Sequence, residues 1–263
     1  MIIRPISVIR VEYRDRNCSH LKFFSKETLY FHLTNPKFTF PLKTLYPPRE
    51  AFNTWSHLLG ALIATVWLFF LMKASWHAPV SYISALAIYG VSVILMFLSS
   101  AFYHAINVEN RTEELFRLFD HILIYVLIAG TYTPLCVITL QGGWQFGMLL
   151  GVWLFALAGV LKKTFWLNAP RWLSTAIYLF MGWVCVIILP IIWKILPAVF
   201  IYWIALGGLS YTIGAVIYAM GKPNPIPGAF ASHEIWHLFV MGGAFSHYWA
   251  IYKYLPDFNL AAI

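Results

Sequence analysis

The chain has 263 residues, of which 60% are hydrophobic, 18% aromatic and only 11% charged, against about 25% charged in an ordinary soluble domain. Too few charges are present to cover a water-facing surface, which excludes a soluble globular enzyme, a disordered chain and a collagen-like fibre and points to a lipid-facing exterior. The 18 Lys and Arg against 10 Asp and Glu give a net charge of +8, and their position at the edges of uncharged blocks reads as membrane orientation, with no nucleic-acid partner.

In chain order, residues 1–49 carry nine of the basic residues, and Arg4, Arg10, Glu12, Arg14, Asp15 and Arg16 break every apolar run short of signal-peptide length. The first membrane helix therefore acts as its own uncleaved signal. Residues 8–11 and 29–33 suit short strands or a surface helix, and the Pro-rich stretch ending at Pro47-Pro48 reads as an extended linker. Beyond it, uncharged blocks cover 51–72, 74–108, 121–161, 172–193, 195–221 and, but for Glu234, 223–252. About 20 apolar residues cross the hydrocarbon, so 121–161 makes two spans, with Gln141-Gly142-Gly143 as the turn between them.

This predicts an all-α integral membrane protein, a seven-transmembrane helix bundle with helices near 52–72, 81–104, 118–140, 144–161, 172–193, 198–220 and 232–254. The bundle domain runs over 50–255, between a tail of 1–49 and a short carboxyl tail of 256–263. Pro190 is placed to kink the fifth helix, and Gly242, Gly243 and Ala244 form a helix-contact surface. Cys18, Cys136 and Cys185 are odd in number and far apart, so they read as packing residues, with neither a disulfide framework nor a thiolate metal site.

With seven spans, 15 Lys and Arg fall on one side and 3 on the other, which puts the amino terminus in the cytoplasm and the carboxyl terminus outside. That orientation gathers Glu50, Asn53, His57, Ser100, His104, Asp120, His121, His233, Glu234 and His237 into one layer near the cytoplasmic face. An ionisable group in lipid costs several kcal/mol unless it faces the protein interior, so each is a functional candidate.

His233 and His237 are spaced i, i+4 and leave the same helical face, a separation that suits two ligands of one zinc ion. The alternative is a pair of packing histidines hydrogen-bonded across helices. His104 adds a third imidazole at the same depth, with Ser100 one turn deeper; three histidines would leave the fourth zinc position open for water. Asp120 reads either as a base beside such an ion or as a helix-start carboxylate complementing the dipole. Glu50, Asn53 and His57 share a face at i, i+3 and i+7 and read either as helix-start residues or as supports behind the ligands. His247 lies too deep for the same ion and reads as packing.

The ordered set Glu50-x-x-Asn53-x-x-Ser56-His57, Ser100-x-x-x-His104, Asp120-His121 and His233-Glu234-x-x-His237 resembles the bacterial hemolysin III family of the progestin and adipoQ receptor superfamily. The resemblance covers residue 50 to the end of the seventh helix. It implies a seven-helix bundle with a cytoplasmic amino terminus, zinc held by His104, His233 and His237, Asp120 holding the zinc-bound water and Ser100 nearby. Nothing in it applies to residues 1–49.

The activity implied is that of a metal-dependent hydrolase acting on a membrane lipid amide or ester, ceramidase-like, in the plasma membrane and with a role in lipid homeostasis. The family name points instead to a pore-forming cytolysin, and a zinc-stabilised sensor is a third reading. A zincin-like protease is a fourth, from the literal His233-Glu234-x-x-His237. It is weakened because Val240 and Gly243 stand where the metzincin extension needs Gly and His.

Overall fold

The computed structural model describes residues 48–108 and 110–258. The amino-terminal tail up to Pro47, with Cys18 and its expected strands or surface helix, and residues 259–263 lie outside the described residues.

Among the described residues eight α-helices follow one another. Helix α1 spans Ala51–Ser75, α2 Val80–Ala105, α3 Asn110–Pro134, α4 Gly142–Phe165, α5 Arg171–Trp183, α6 Leu189–Ile195, α7 Ala198–Met220 and α8 Ser232–Tyr254. A π-helical turn, Leu135–Thr139, extends α3, and a 3-10 turn, Val184–Ile187, extends α5. Among the described residues the only β pairing is an isolated bridge between Ile226 and Phe230.

Five of the described helical segments are long and apolar enough to cross a bilayer: α1, α2, α3 with its π turn, α4 and α7. A sixth is α5 and α6 taken together, bent by 51° at their junction. Helix α8 has the length, at 23 residues, but His233, Glu234, His237, Ser246, His247 and Lys253 lower its hydropathy. The outward faces carry large apolar side chains, among them Leu62 (61% exposed), Phe69 (64%), Phe146 (71%) and Tyr202 (64%). Surfaces so continuously apolar face lipid, and the chain is a multi-pass membrane protein.

Local chemistry sets the breaks. Pro79, Pro170 and Pro197 each stand just before the first residue of a helix, and Gly221 ends α7 at φ 66°, a left-handed C-cap that glycine adopts without strain. The bend between α5 and α6 falls at Pro190, in the first turn of α6, where proline has no N–H to continue the ladder. Tyr132 of α3 meets the backbone of the 3-10 turn just ahead of the bend. Its hydroxyl donates to the carbonyls of Met181 (3.0 Å) and Gly182 (2.7 Å) and accepts from the Cys185 N–H (2.7 Å).

Helix α3 begins eight residues earlier than the predicted start at 118. Its first two turns are charged and amphipathic, so a boundary drawn at the edge of the uncharged block misses them. Glu113 and Glu114 therefore also belong to α3, and Asp120 lies ten residues inside it. The helix-dipole reading of Asp120 does not apply, because that field fades within the first turn.

Helices α7 and α8 pack closely through small residues. A Cβ on Gly207 would strike the His247 ring, one on Gly214 would strike Phe239 and Trp236, and one on Gly243 would strike Tyr211. His247 is a packing residue, its Nε2 3.1 Å from the Ile204 carbonyl. Cys136 is buried and Cys185 half-buried, both as free thiols.

Candidate metal centre

The site forms where the start of α1 meets the end of α2 and the start of α8. Two backbone hydrogen bonds dock α1: Arg49 N–H to the Ala105 carbonyl (3.3 Å) and Glu50 N–H to the His104 carbonyl (3.0 Å). Glu50 thus stands beside His104 although 54 positions separate them. Its Oε2 accepts from His104 Nδ1 at 2.8 Å and from Asn53 Nδ2 at 2.8 Å. Asn53 does not cap the helix; its amide also donates to Glu234 Oε1 at 2.9 Å. The other Glu234 oxygen accepts from the Ala231 N–H at 2.8 Å and secures the first turn of α8. One polar chain, His104–Glu50–Asn53–Glu234, links three helices.

An ionised carboxylate only accepts, so His104 must carry its proton on Nδ1. Its Nε2 is left with a free lone pair, and that atom is buried with no partner. A metal ligand held this way has its tautomer and ring angle set in advance. Burial alone would raise the Glu50 carboxyl, but the hydrogen bonds it accepts from His104 Nδ1 and the Asn53 amide outweigh it and hold the group well below the usual carboxylate range.

His104, His233 and His237 each offer a ring nitrogen, all lying within 4.8 Å of one another. Their ring centroids are 4.9 Å (104 to 233), 4.9 Å (104 to 237) and 5.0 Å (233 to 237) apart. His104 and His237 are each 1% exposed, and His237 Nδ1, like His104 Nε2, is buried without a partner. Buried polar atoms are nearly always satisfied. Orphaned lone pairs converging from two helices are what a bound cation would satisfy, so these residues fit a metal ion.

The other predicted site residues fall around this triangle. His57 stacks on His237 (centroids 3.7 Å apart, planes 25° apart) with Phe97 edge-on at 5.0 Å, and both its ring nitrogens are buried and unpartnered. Ser100 is buried one turn before His104. Asp120 is 17% exposed at its side chain, and its charge reaches His233, as do those of Glu50 and Glu234. His121 stands apart from the three imidazoles. Its Nδ1 donates to the Arg117 carbonyl at 2.6 Å, and its own carbonyl accepts from Tyr178.

Arg49 is the residue that sequence reasoning misses, because there it counts only as a topology charge. Its guanidinium pairs with Glu113, donates to the Tyr103 carbonyl at 3.2 Å, lies 3.6 Å from Glu50 and covers the Tyr103 ring at 4.8 Å. Its place immediately before Glu50 is the available signal.

Fold and site together define the class: a multi-pass helical membrane protein that gathers three histidines and their carboxylate support at one end of its bundle. Residues 45–248 match the family described as Haemolysin-III related, and the chain belongs to that family. It is similar to "Hemolysin-3" of Bacillus cereus, at 33% identity over 81% of this chain and 94% of the relative. It is also similar to the "Hemolysin-3 homolog" of Bacillus subtilis (strain 168), at 35% over 78% and 93%. The human "Monocyte to macrophage differentiation factor" matches at 27% over 82% and 89%.

Proposed function

We propose that this chain is a zinc-dependent hydrolase of the plasma membrane that cleaves an amide or ester bond in a membrane lipid. The observation that carries the reading is the cluster of His104, His233 and His237, with His104 Nε2 freed by the bond from its Nδ1 to Glu50. Three neutral imidazoles without a thiolate suit zinc and leave a position open. Zinc, when bound, supplies a Lewis acid that polarises a carbonyl and acidifies a water to a pKa of about 7.

The chain's own residues do the rest. Asp120 takes a proton from the attacking water and returns it to the leaving group. Ser100 donates its hydroxyl to the carboxylate or to the developing oxyanion. Glu50 and Asn53 hold His104, Glu234 holds the start of α8, and His57 backs the face of His237; His121 is assigned no step. Burial of the imidazoles keeps bulk water from competing for the centre.

In this reading α8 is the seventh span, packed on α7 through Gly207, Gly214 and Gly243. The domain runs over 50–255, and the excess of Lys and Arg places the amino terminus and the metal layer at the cytoplasmic side and the carboxyl terminus outside. The name of the Bacillus cereus relative suggests lysis, but a conducting path should be polar along its whole depth. Leu71, Leu86, Ile188, Ile251 and Leu255, each 0% exposed, fill the end of the bundle away from the histidines.

The test is lipid turnover by purified protein, wild type against Asp120→Asn, together with metal analysis of wild type against His237→Ala. Zinc in the wild type but not in His237→Ala, with turnover lost in Asp120→Asn, is the expected result. Equal turnover by wild type and Asp120→Asn removes the role given to Asp120, and absence of zinc from the wild type removes the hydrolase reading.

A further inference from the structure

Four cations, Arg117 of α3, Lys162 and Lys163 of α4 and Arg171 of α5, stand at the end of the bundle that holds the histidines. Among the described residues none of them forms an ion pair; the carboxylates that do are Glu50 and Glu113 with Arg49, Glu50 with His104, Asp120 with His121 and Asp257 with His77. Lys162 reaches the Ser174 hydroxyl at 3.5 Å and lies over Trp166, and Arg171 lies over Tyr218. Those two heads are accommodated on aromatic rings and polar edges.

Lys163 is not. It is 2% exposed, within a helix of membrane-spanning length. The charges that reach it are those of Lys162 and Arg117, which repel it, and of Asp120. Orientation by basic residues accounts for cations in solvated loops, not for a lysine whose side chain is covered by helices. A buried cation that must share one carboxylate, Asp120, with a second cation is costly. Arg117 has the same deficit, for its Nη2 donates to Asn168 at 2.7 Å while its Nε is buried with no acceptor.

The position relative to the histidines gives the deficit its meaning. Arg117 and Asp120 are three residues apart on one face of α3. The Arg117 charge reaches Lys163, Tyr103 and Tyr218, and the Asp120 charge reaches the same three groups and His233. Asp120 is therefore within electrostatic reach of both the cations and His233.

We infer that Arg117 and Lys163 bind the phosphate of a lipid headgroup, so that the lipid handled at the histidine centre is a phosphate-bearing one, not a neutral ceramide or diacylglycerol. Arginine offers a fork of donors matched to two phosphate oxygens, and lysine adds a point charge. A phosphate seated there supplies the missing acceptor for Arg117 Nε and a second anion for two cations that otherwise share Asp120, and it directs the acyl linkages of the lipid toward His233. The inference rests on the lipid-hydrolase reading, whose substrate class it narrows.

The experiment follows thermal unfolding of the full chain in maltoside micelles doped with dioleoyl phosphatidic acid, with dioleoyl glycerol or with inorganic phosphate. Phosphatidic acid at about a hundredfold excess over its Kd should raise the melting temperature by about 5 °C or more. Dioleoyl glycerol should give no rise, and inorganic phosphate a clearly smaller one. Arg117→Gln and Lys163→Met should each abolish the rise. Lys163→Met in lipid-free micelles should melt no lower than wild type, because it removes an unpaired buried charge while keeping the aliphatic stem; the lost response is then not a lost fold.

A rise that persists in both variants, or one that dioleoyl glycerol matches, overturns the inference; a full rise with inorganic phosphate overturns its lipid part. Turnover of a neutral lipid that is unchanged in Lys163→Met keeps the hydrolase and removes the headgroup site. A phosphatidic acid response lost in both variants, with no turnover of any lipid by wild type, keeps the headgroup site and removes the hydrolase.

Discussion

Glu50→Gln should weaken zinc binding about tenfold through a residue that never touches the ion. Glu50 Oε2 receives two donors, His104 Nδ1 and Asn53 Nδ2, each at 2.8 Å, while Arg49 Nε stands 3.6 Å from the other oxygen. An amide can keep both bonds only by placing its oxygen at the Oε2 position, which turns its NH2 toward the Arg49 guanidinium. The bond to His104 then falls from a charge-assisted one, about 1.5–3 kcal/mol, to a neutral one, about 0.5–1.5 kcal/mol. The His104 end is sealed, at 1% exposure, but the Glu50 side chain is 37% exposed, so water replaces part of the loss and the middle of the difference, about 1.3 kcal/mol, applies in place of its upper end. About 1.4 kcal/mol is tenfold in affinity, within the roughly ten- to hundredfold range found for supports behind metal ligands. Glu50→Ala should cost more, because His104 then loses the partner that fixes its tautomer. The assay is competition with a chromophoric chelator in micelles, with the cobalt-substituted spectrum reporting ligand geometry. Affinity within about twofold of wild type in both variants would refute the argument that the Nδ1 bond prepares Nε2.

His57→Phe should keep zinc affinity near wild type, because neither ring nitrogen of His57 bonds another side chain and a phenyl ring preserves the stack on His237. His57→Ala removes the stack, about 0.5–1.5 kcal/mol, and should weaken affinity about three- to tenfold by the same chelator competition. Gly207→Ala should destabilise by about 1–3 kcal/mol, since its Cβ would strike the His247 ring, while Gly208→Ala, with open space around it, should be neutral or slightly stabilising; comparative melting checks both. Tyr132→Phe strips the bend between α5 and α6 of the hydroxyl that meets Met181, Gly182 and Cys185. Leaving the Cys185 N–H unsatisfied costs about 1–3 kcal/mol, which should appear as a lower melting temperature and faster hydrogen exchange around residues 181–187.

The apolar helices are legible in the sequence because the bilayer imposes one requirement on a chain, about 20 uncharged residues per crossing, and the blocks at 51–72, 74–108 and 195–221 meet it without any knowledge of packing. Where a helix leaves the hydrocarbon that requirement lapses. The first two turns of α3 therefore carry no such signal, and Asp120, at the edge of an uncharged block, looks like a helix-start residue when it is an interior one. The bend at Pro190 is legible from proline's missing N–H. Its stabilisation by Tyr132 is not, since nothing in the sequence brings residue 132 to residues 181–185.

The site divides along the same line. His233 and His237 share a face by helical period alone, and the balance of Lys and Arg brings His104 to their depth, so periodicity and charge suffice to group the three imidazoles. What makes the group chemically specific lies in contacts that no periodicity encodes: Glu50 to His104 across 54 positions and Asn53 to Glu234 across 181. These follow from the two backbone bonds that lay the start of α1 against the end of α2, an irregular junction between an extended chain and two helix ends. Glu50, in the irregular backbone before α1, thereby sets the tautomer of His104, in the regular backbone of α2. A substitution at this junction should therefore be felt at the histidine cluster before it is felt in the fold, because the bundle is held by the apolar core while the Nε2 lone pair of His104 depends on a single carboxylate.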